Sequence, residues 1–135
     1  MKTLNQRSKN NLVGVHPNLV KVIETAIVDC PLEFTVVEGV RTTQRQQELF
    51  AQGRTTAGQI VTNVDGVKKK SNHQPKADGY GYAVDIYANP INVNDTVNIK
   101  VVADCILSVA EILGINVEWG GDWKFIDRPH FELKS

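Results

Sequence analysis

Apolar residues recur along this chain at two distinct periods. In PNLVKVIETAIVDC (17–30), Leu19, Val22, Ile23, Ala26, Ile27 and Cys30 follow the three-and-four spacing of one buried helical face, with Pro17 in the first turn. FTVVEGV (34–40) is instead a β-branched run ending at Gly39, which predicts a buried strand leading into a turn. RTTQRQQELFAQG (41–53) opens with threonines suited to capping, continues through good helix formers and stops at Gly53. Between 54 and 82 both periods dissolve into Gly, Thr, Asn, Asp, Lys and Pro; a loop this long in a compact domain is usually functional or disordered. YAVDIYA, from Tyr82, returns to strand character. DTVNIKVVADCILSVAEILG (95–114) predicts the longest helix, with Val101 or Val102, Cys105, Val109 and Ile112 or Leu113 on its inner side and Gly114 as its stop. INVEW (115–119) and PHFEL (129–133) read as two short strands around the loop GGDWKFIDR, and no internal repeat is visible.

This order is mixed α+β, expected as a single domain over 1–135 with residues 1–11 as a flexible lead-in. At 135 residues with 41% apolar content, one domain can bury a real core. Fifteen Lys and Arg balance fifteen Asp and Glu, so no global basic field exists and no nucleic-acid partner is expected. No apolar run approaches the roughly 20 residues of a membrane span, so no membrane insertion is expected. MKTLNQRSKNNLVGV lacks the apolar core of about 7–15 residues that marks a secretory signal, so synthesis in the cytoplasm is expected. Cys30 and Cys105 both lie on helix stripes and are expected as reduced thiols.

The chemistry concentrates in the polar excursions at strand ends. The chain has three histidines: His16 at a helix start, expected to cap or face solvent; His73 in the long loop; and His130 at the start of the last strand. With Asp85 on the middle strand, His73 and His130 make a two-histidine, one-aspartate set that suits zinc and leaves a fourth position open for water. Such a metal makes water nucleophilic near neutral pH and polarises a carbonyl. Asp127, three residues before His130, is the candidate general base. Spacing alone does not decide the set, since Glu118, Asp122 and Glu132 offer competing carboxylates.

SNH…GYAVD resembles the S-x-H-x-x-G-x-A-x-D signature of the VanY-like zinc D-Ala-D-Ala carboxypeptidases and L-alanyl-D-glutamate endopeptidases, which include many phage endolysins. WGGDWKFIDRPHFEL resembles their second signature, with an acidic residue three positions before the last histidine. GVHPNLVKVIETAI, FTVVEGVRTTQRQQELFAQGRT and IVTN extend the resemblance over about residues 12–133. It implies a small antiparallel sheet carrying one zinc ion, packed by helices in the hedgehog/D-Ala-D-Ala peptidase manner, with 54–82 as a long active-site loop. It implies His73, Asp85 and His130 as zinc ligands, Asp127 as catalytic base, and Arg41 as the catalytic cation that stabilises an oxyanion. Ser71 and Gln46 match positions that bind the peptide, while Trp119 and Asp122 organise the site. Tyr80, Tyr82 and Trp123 are candidate groove residues, and Lys68 to Lys70 a solvated run that would favour an anionic polymer. Between His73 and Asp85 eleven residues intervene, more than the signature allows, and the insert carries Asp78 as an alternative oxygen ligand.

The expected activity is therefore hydrolysis of the peptidoglycan stem peptide, foremost at L-Ala-D-Glu, by a monomeric endolysin that reaches the wall with a holin-like permeabilising partner. The alternatives are a D-Ala-D-Ala carboxypeptidase and a non-catalytic wall-binding module with a structural zinc.

Overall fold

A computed structural model describes residues 2–134. Helix α1 (Gln6–Asn11) precedes α2 (Pro17–Asp29), strand β1 (Phe34–Glu38) and α3 (Thr43–Ala51). After the long loop come β2 (Ala83–Ala88), α4 (Asn98–Leu113), β3 (Val117–Trp119), a 3-10 turn at Gly120–Asp122 and β4 (His130–Leu133). The four strands form one antiparallel sheet in the order β1-β2-β4-β3, as the α+β reading expected.

Strand β2 shows why the sheet has two unlike faces. Side chains alternate across a strand, so Val84, Ile86 and Ala88 turn to one side and Asp85 and Tyr87 to the other. The apolar side, joined by Phe34, Val36 and Phe131, packs under α2 and α4 in a single buried cluster. Leu19, Val22, Ile23, Ala26, Ile27 and Cys30 of the α2 stripe are all buried there. Helix α4 turns a different face inward from the expected one: Ile99, Val102, Ala103, Ile106 and Ala110 are buried, whereas Ile112 is 82% exposed and Cys105 half-buried. Its apolar residues are dense enough to support two phases, and the small Ala103 and Ala110 allow close approach to α2. Both cysteines are free thiols, and burial, with Cys30 beside it, pushes the Cys105 thiol up to about 12.

The lead-in expected at 1–11 contains α1, and its polar residues cover the open edge of β1. Ser8 is buried and its Oγ accepts the Val36 N–H at 2.9 Å, while Asn11 Nδ2 donates to the Val36 carbonyl at 2.8 Å. An edge strand exposes a row of such groups, and here side chains close them instead of another strand. A Cβ on Gly39 would collide with the Asn11 carbonyl, so the glycine after β1 is what admits α1. Replacing Ser8 with Ala strands the Val36 N–H and should destabilise the fold by about 1–3 kcal/mol, read as a lower urea midpoint with unchanged slope.

Candidate active site

The polar side of the sheet carries the site. Register sets Asp85 opposite His130 on β4 and opposite Glu38 on β1, so these three side chains lie in a row across three strands. His73 arrives from the long loop. Its backbone carbonyl accepts the Arg41 N–H at 2.8 Å, and its Nδ1 meets the Gly39 carbonyl at 2.9 Å, which aims Nε2 at Asp85. Asp85 Oδ1 then stands 3.4 Å from His73 Nε2 and 3.6 Å from His130 Nδ1.

This set fits a small divalent cation. One ligand atom from each of His73, Asp85 and His130 lies within 4.8 Å of the others. Tetrahedral ligands at the usual zinc distances sit roughly 3.4 Å apart, close to the two separations above. In each histidine the outward nitrogen is already engaged, His73 Nδ1 with Gly39 and His130 Nε2 with Glu132 Oε1 at 2.7 Å, leaving the inward nitrogen with a free lone pair. Asp78, the alternative oxygen ligand, is exposed and accepts the Tyr82 hydroxyl instead, at 2.5 Å.

The three groups sit in a cleft of about 890 Å³ that Arg41, Ser71, Trp123 and Asp127 also line. Arg41 is buried and held on two sides: Nε donates to Glu38 Oε1 at 2.8 Å and Nη1 to Gln46 Oε1 at 2.8 Å. Nη2 is left 3.7 Å from Asp85 Oδ2, facing the metal position. Gln46 corrects an expectation. It is fully buried, and its Nε2 donates to the Val64 carbonyl at 2.7 Å, so its amide faces protein rather than a peptide. It orients Arg41 and anchors the loop. Ser71 does reach the cleft, where its Oγ also accepts the His73 N–H at 3.2 Å.

Asp127 is fixed through its backbone. Its N–H donates to the Gly120 carbonyl at 2.9 Å and its carbonyl accepts the His130 N–H at 3.1 Å. A Cβ on Gly120 would strike the Asp127 carbonyl, so the first glycine of WGG is what lets this loop close. Trp119 stacks on Phe131 and donates Nε1–H to the Arg128 carbonyl at 2.6 Å, pinning the loop's other end. Burial and the nearby Asp85 charge raise the Asp127 carboxyl above its ordinary range, against the opposing pull of His130, His73 and Arg41. Asp122 is exposed and outside the cleft lining, and Tyr80 and Tyr82 pack on His16 rather than lining the groove. Trp123 does line it, its ring 5.0 Å from that of His130.

Three residues at the site were not read as positioning groups from sequence: Glu38, Asn72 and Gln74. Glu38 has a detectable signal, a carboxylate three positions before Arg41 across a glycine. Gln74, buried and bonded to Thr43, Gly66 and Ser71, sits in aperiodic loop sequence and has none.

A model of the phage L-alanyl-D-glutamate peptidase family matches residues 1–134. The chain belongs to that family. It is 32% identical over 120 residues to the peptidoglycan L-alanyl-D-glutamate endopeptidase CwlK of Bacillus subtilis (strain 168), a match covering 82% of this chain. The chain spans 66% of the length of that relative. It is 30% identical over 132 residues to the L-alanyl-D-glutamate peptidase of Escherichia phage T5, covering 96% of this chain and 87% of the phage protein. Among solved structures it matches the L-Ala D-Glu endopeptidase ChiX of Serratia marcescens with a TM-score of 0.74 and 34% identity, over 98% of this chain and 90% of that one. Membership makes the chain a peptidase, with the α+β architecture and small antiparallel sheet already described. No helix among the described residues is long and apolar enough to cross a membrane.

The site's charge balance has a measurable signature in metal-free protein. Burial alone would lower the His130 pKa, but the Asp85 carboxylate beside it and the hydrogen bond to Glu132 outweigh burial and raise the imidazole from 6.5 to about 9. A group whose folded pKa is raised contributes stability in full below its unfolded value and loses it as pH climbs through the folded one. Chelator-treated protein should therefore lose thermal stability between pH 6.5 and about 9 in scanning calorimetry. A flat melting temperature across that window would refute the His130 environment described.

Proposed function

We propose that this chain is a zinc endopeptidase that cuts the L-Ala-D-Glu bond of the peptidoglycan stem peptide. The observation that carries the reading is the convergence of His73, Asp85 and His130 in one cleft with Asp127 and the cation Arg41. A two-nitrogen, one-oxygen donor set favours zinc over harder cations, which prefer all-oxygen cages. Zinc held there would supply Lewis acidity, making water nucleophilic near neutral pH and polarising the scissile carbonyl.

The chain's own residues do the rest. Asp127, half-buried and accepting no side-chain hydrogen bond among the described residues, takes a proton from the attacking water and returns it to the leaving amine. Its raised pKa makes it a stronger base than an exposed aspartate. Arg41, locked by Glu38 and Gln46, presents Nη2 to the developing oxyanion without having to reorganise. Ser71 offers its hydroxyl to the peptide from the cleft wall, and Lys69, Lys70 and Arg128 give that wall positive charge suited to an acidic stem. A structural zinc is closed by four protein ligands, whereas here three converge beside a free carboxylate, which disfavours a non-catalytic wall-binding module. The chain is read as one monomeric catalytic domain over 1–135, working as an endolysin with a holin-like permeabilising partner.

Digestion of purified peptidoglycan followed by mass spectrometry should reveal new D-Glu amino termini; release of free D-Ala alone would establish a carboxypeptidase instead. Asp127→Asn should lower kcat by about 10²–10⁴-fold while zinc content by elemental analysis stays unchanged. Retained turnover in that variant would remove Asp127 from the mechanism.

A further inference from the structure

Beyond its candidate ligands, the cleft holds a buried carboxylate with no role in the chemistry above. Glu132 lies two residues after His130 on β4, and the strand's two-residue period puts both side chains on the polar face. Its carboxylate is divided between two partners: Oε1 meets His130 Nε2 at 2.7 Å, and Oε2 accepts Asn72 Nδ2 at 2.9 Å. The residue is only 6% exposed, so water does not compete for either contact. Asn72 is itself fixed, because its backbone carbonyl accepts the Tyr82 N–H at 2.8 Å.

We infer that Glu132 is a positioning residue that sets His130 for metal binding and that Asn72 locks it in place. By accepting the Nε2 proton, Glu132 keeps the lone pair on Nδ1, the nitrogen that faces Asp85 and His73. A histidine ligand whose far nitrogen is bonded to a carboxylate is held in one ring orientation and donates more strongly. Here the same arrangement also couples two ligands. Asn72 immediately precedes His73, so one loop segment delivers the His73 imidazole and the clamp on the carboxylate that orients His130. Movement of that segment would loosen both histidines together.

The inference rests on the metal-centre reading above, and its test separates the two. Zinc affinity is measured by competition with a chromophoric chelator for the wild type, Glu132→Ala, Glu132→Gln, Asn72→Ala and His73→Ala, with folding checked by circular dichroism. Glu132→Ala should weaken zinc binding by about 10–100-fold. Glu132→Gln, whose amide oxygen can still accept the Nε2 proton, should recover most of that loss, and Asn72→Ala should fall between. In zinc-loaded wild type, proton NMR should show a slowly exchanging His130 Nε2–H resonance that shifts in Glu132→Gln and vanishes in Glu132→Ala. If His73→Ala leaves zinc affinity unchanged, the metal-centre reading fails and this proposal with it. If His73→Ala abolishes binding but Glu132→Ala stays within twofold of wild type, only the positioning role is overturned. Should Glu132→Ala fail to fold, Glu132→Gln and Asn72→Ala decide: wild-type affinity and an unshifted His130 resonance in both would overturn the proposal.

Discussion

Pairing of β2 with β4 in the register Ala83↔Glu132, Val84↔Phe131, Asp85↔His130 is the constraint on which the site depends. Because side chains alternate, slipping either strand by one residue would bury Asp85 or His130 in the apolar cluster and expose Val84 or Phe131. Val84, Ile86 and Phe131 are fully buried, so hydrophobic packing on one face enforces ligand geometry on the other. The candidate ligands need not select their own register. That division explains how a three-residue cluster drawn from distant segments can be rigid: two members are held by a sheet whose cost of misalignment is paid by the core.

The third member depends on a different device. His73 belongs to a loop of some thirty residues without regular structure, yet it is tied down from beneath by buried amides. Gln46 reaches from α3 to the Val64 carbonyl, and Gln74 reaches back to Thr43 and the Gly66 carbonyl. Arg54 adds bonds to the Phe50 and Thr62 carbonyls while covering the Phe50 ring. A buried amide is costly unless every donor and acceptor is matched, and among the described residues no buried side-chain polar atom lacks a partner. The loop's polarity, which removes it from any apolar pattern, is therefore how it is held. Within the stretch between His73 and Asp85, Asp78, Tyr82 and Lys76 bond or stack with one another and with His16, outside the cleft. The extra length leaves the grouping of His73, Asp85 and His130 intact.

These two devices account for what sequence could and could not reveal. Periodicity found α2 because its burial is one-sided, strand-forming runs found the sheet and capping signals found α3, whereas α4 was mis-phased because that helix carries apolar residues on more than one stripe. The convergence of His73, Asp85, His130, Asp127 and Arg41 in one cleft was legible through residue type and motif. The task of Gln46 was not: the same amide in the same motif reads as a peptide contact until the structure shows it fully buried. A role defined by an unfilled hydrogen-bonding group differs from one defined by a filled group, and only coordinates distinguish them. Helix α1 was missed for a related reason, since Ser8 and Asn11 close the β1 edge with polar atoms that no apolar pattern registers.

Charge completes the picture. Glu38, Asp85, Asp127 and Glu132 all line the cleft, and among the described residues Arg41 is the one Lys or Arg paired with them, already matched by Glu38. Three carboxylates thus surround two imidazoles. Asp85 stays ionised despite burial because both imidazoles lie against it, Glu132 is lowered by His130 and Asn72, and His130 is correspondingly driven toward its protonated form. Beside Arg41, the positive charge that metal-free protein draws in between these carboxylates is the proton on His130. A dication held at the same point would satisfy Asp85 directly and oppose the rise on Asp127, leaving His130 neutral with its Nε2–H still donated to Glu132. The excess of negative charge among these groups, unfavourable for folding alone, would favour a bound cation over a proton as pH rises.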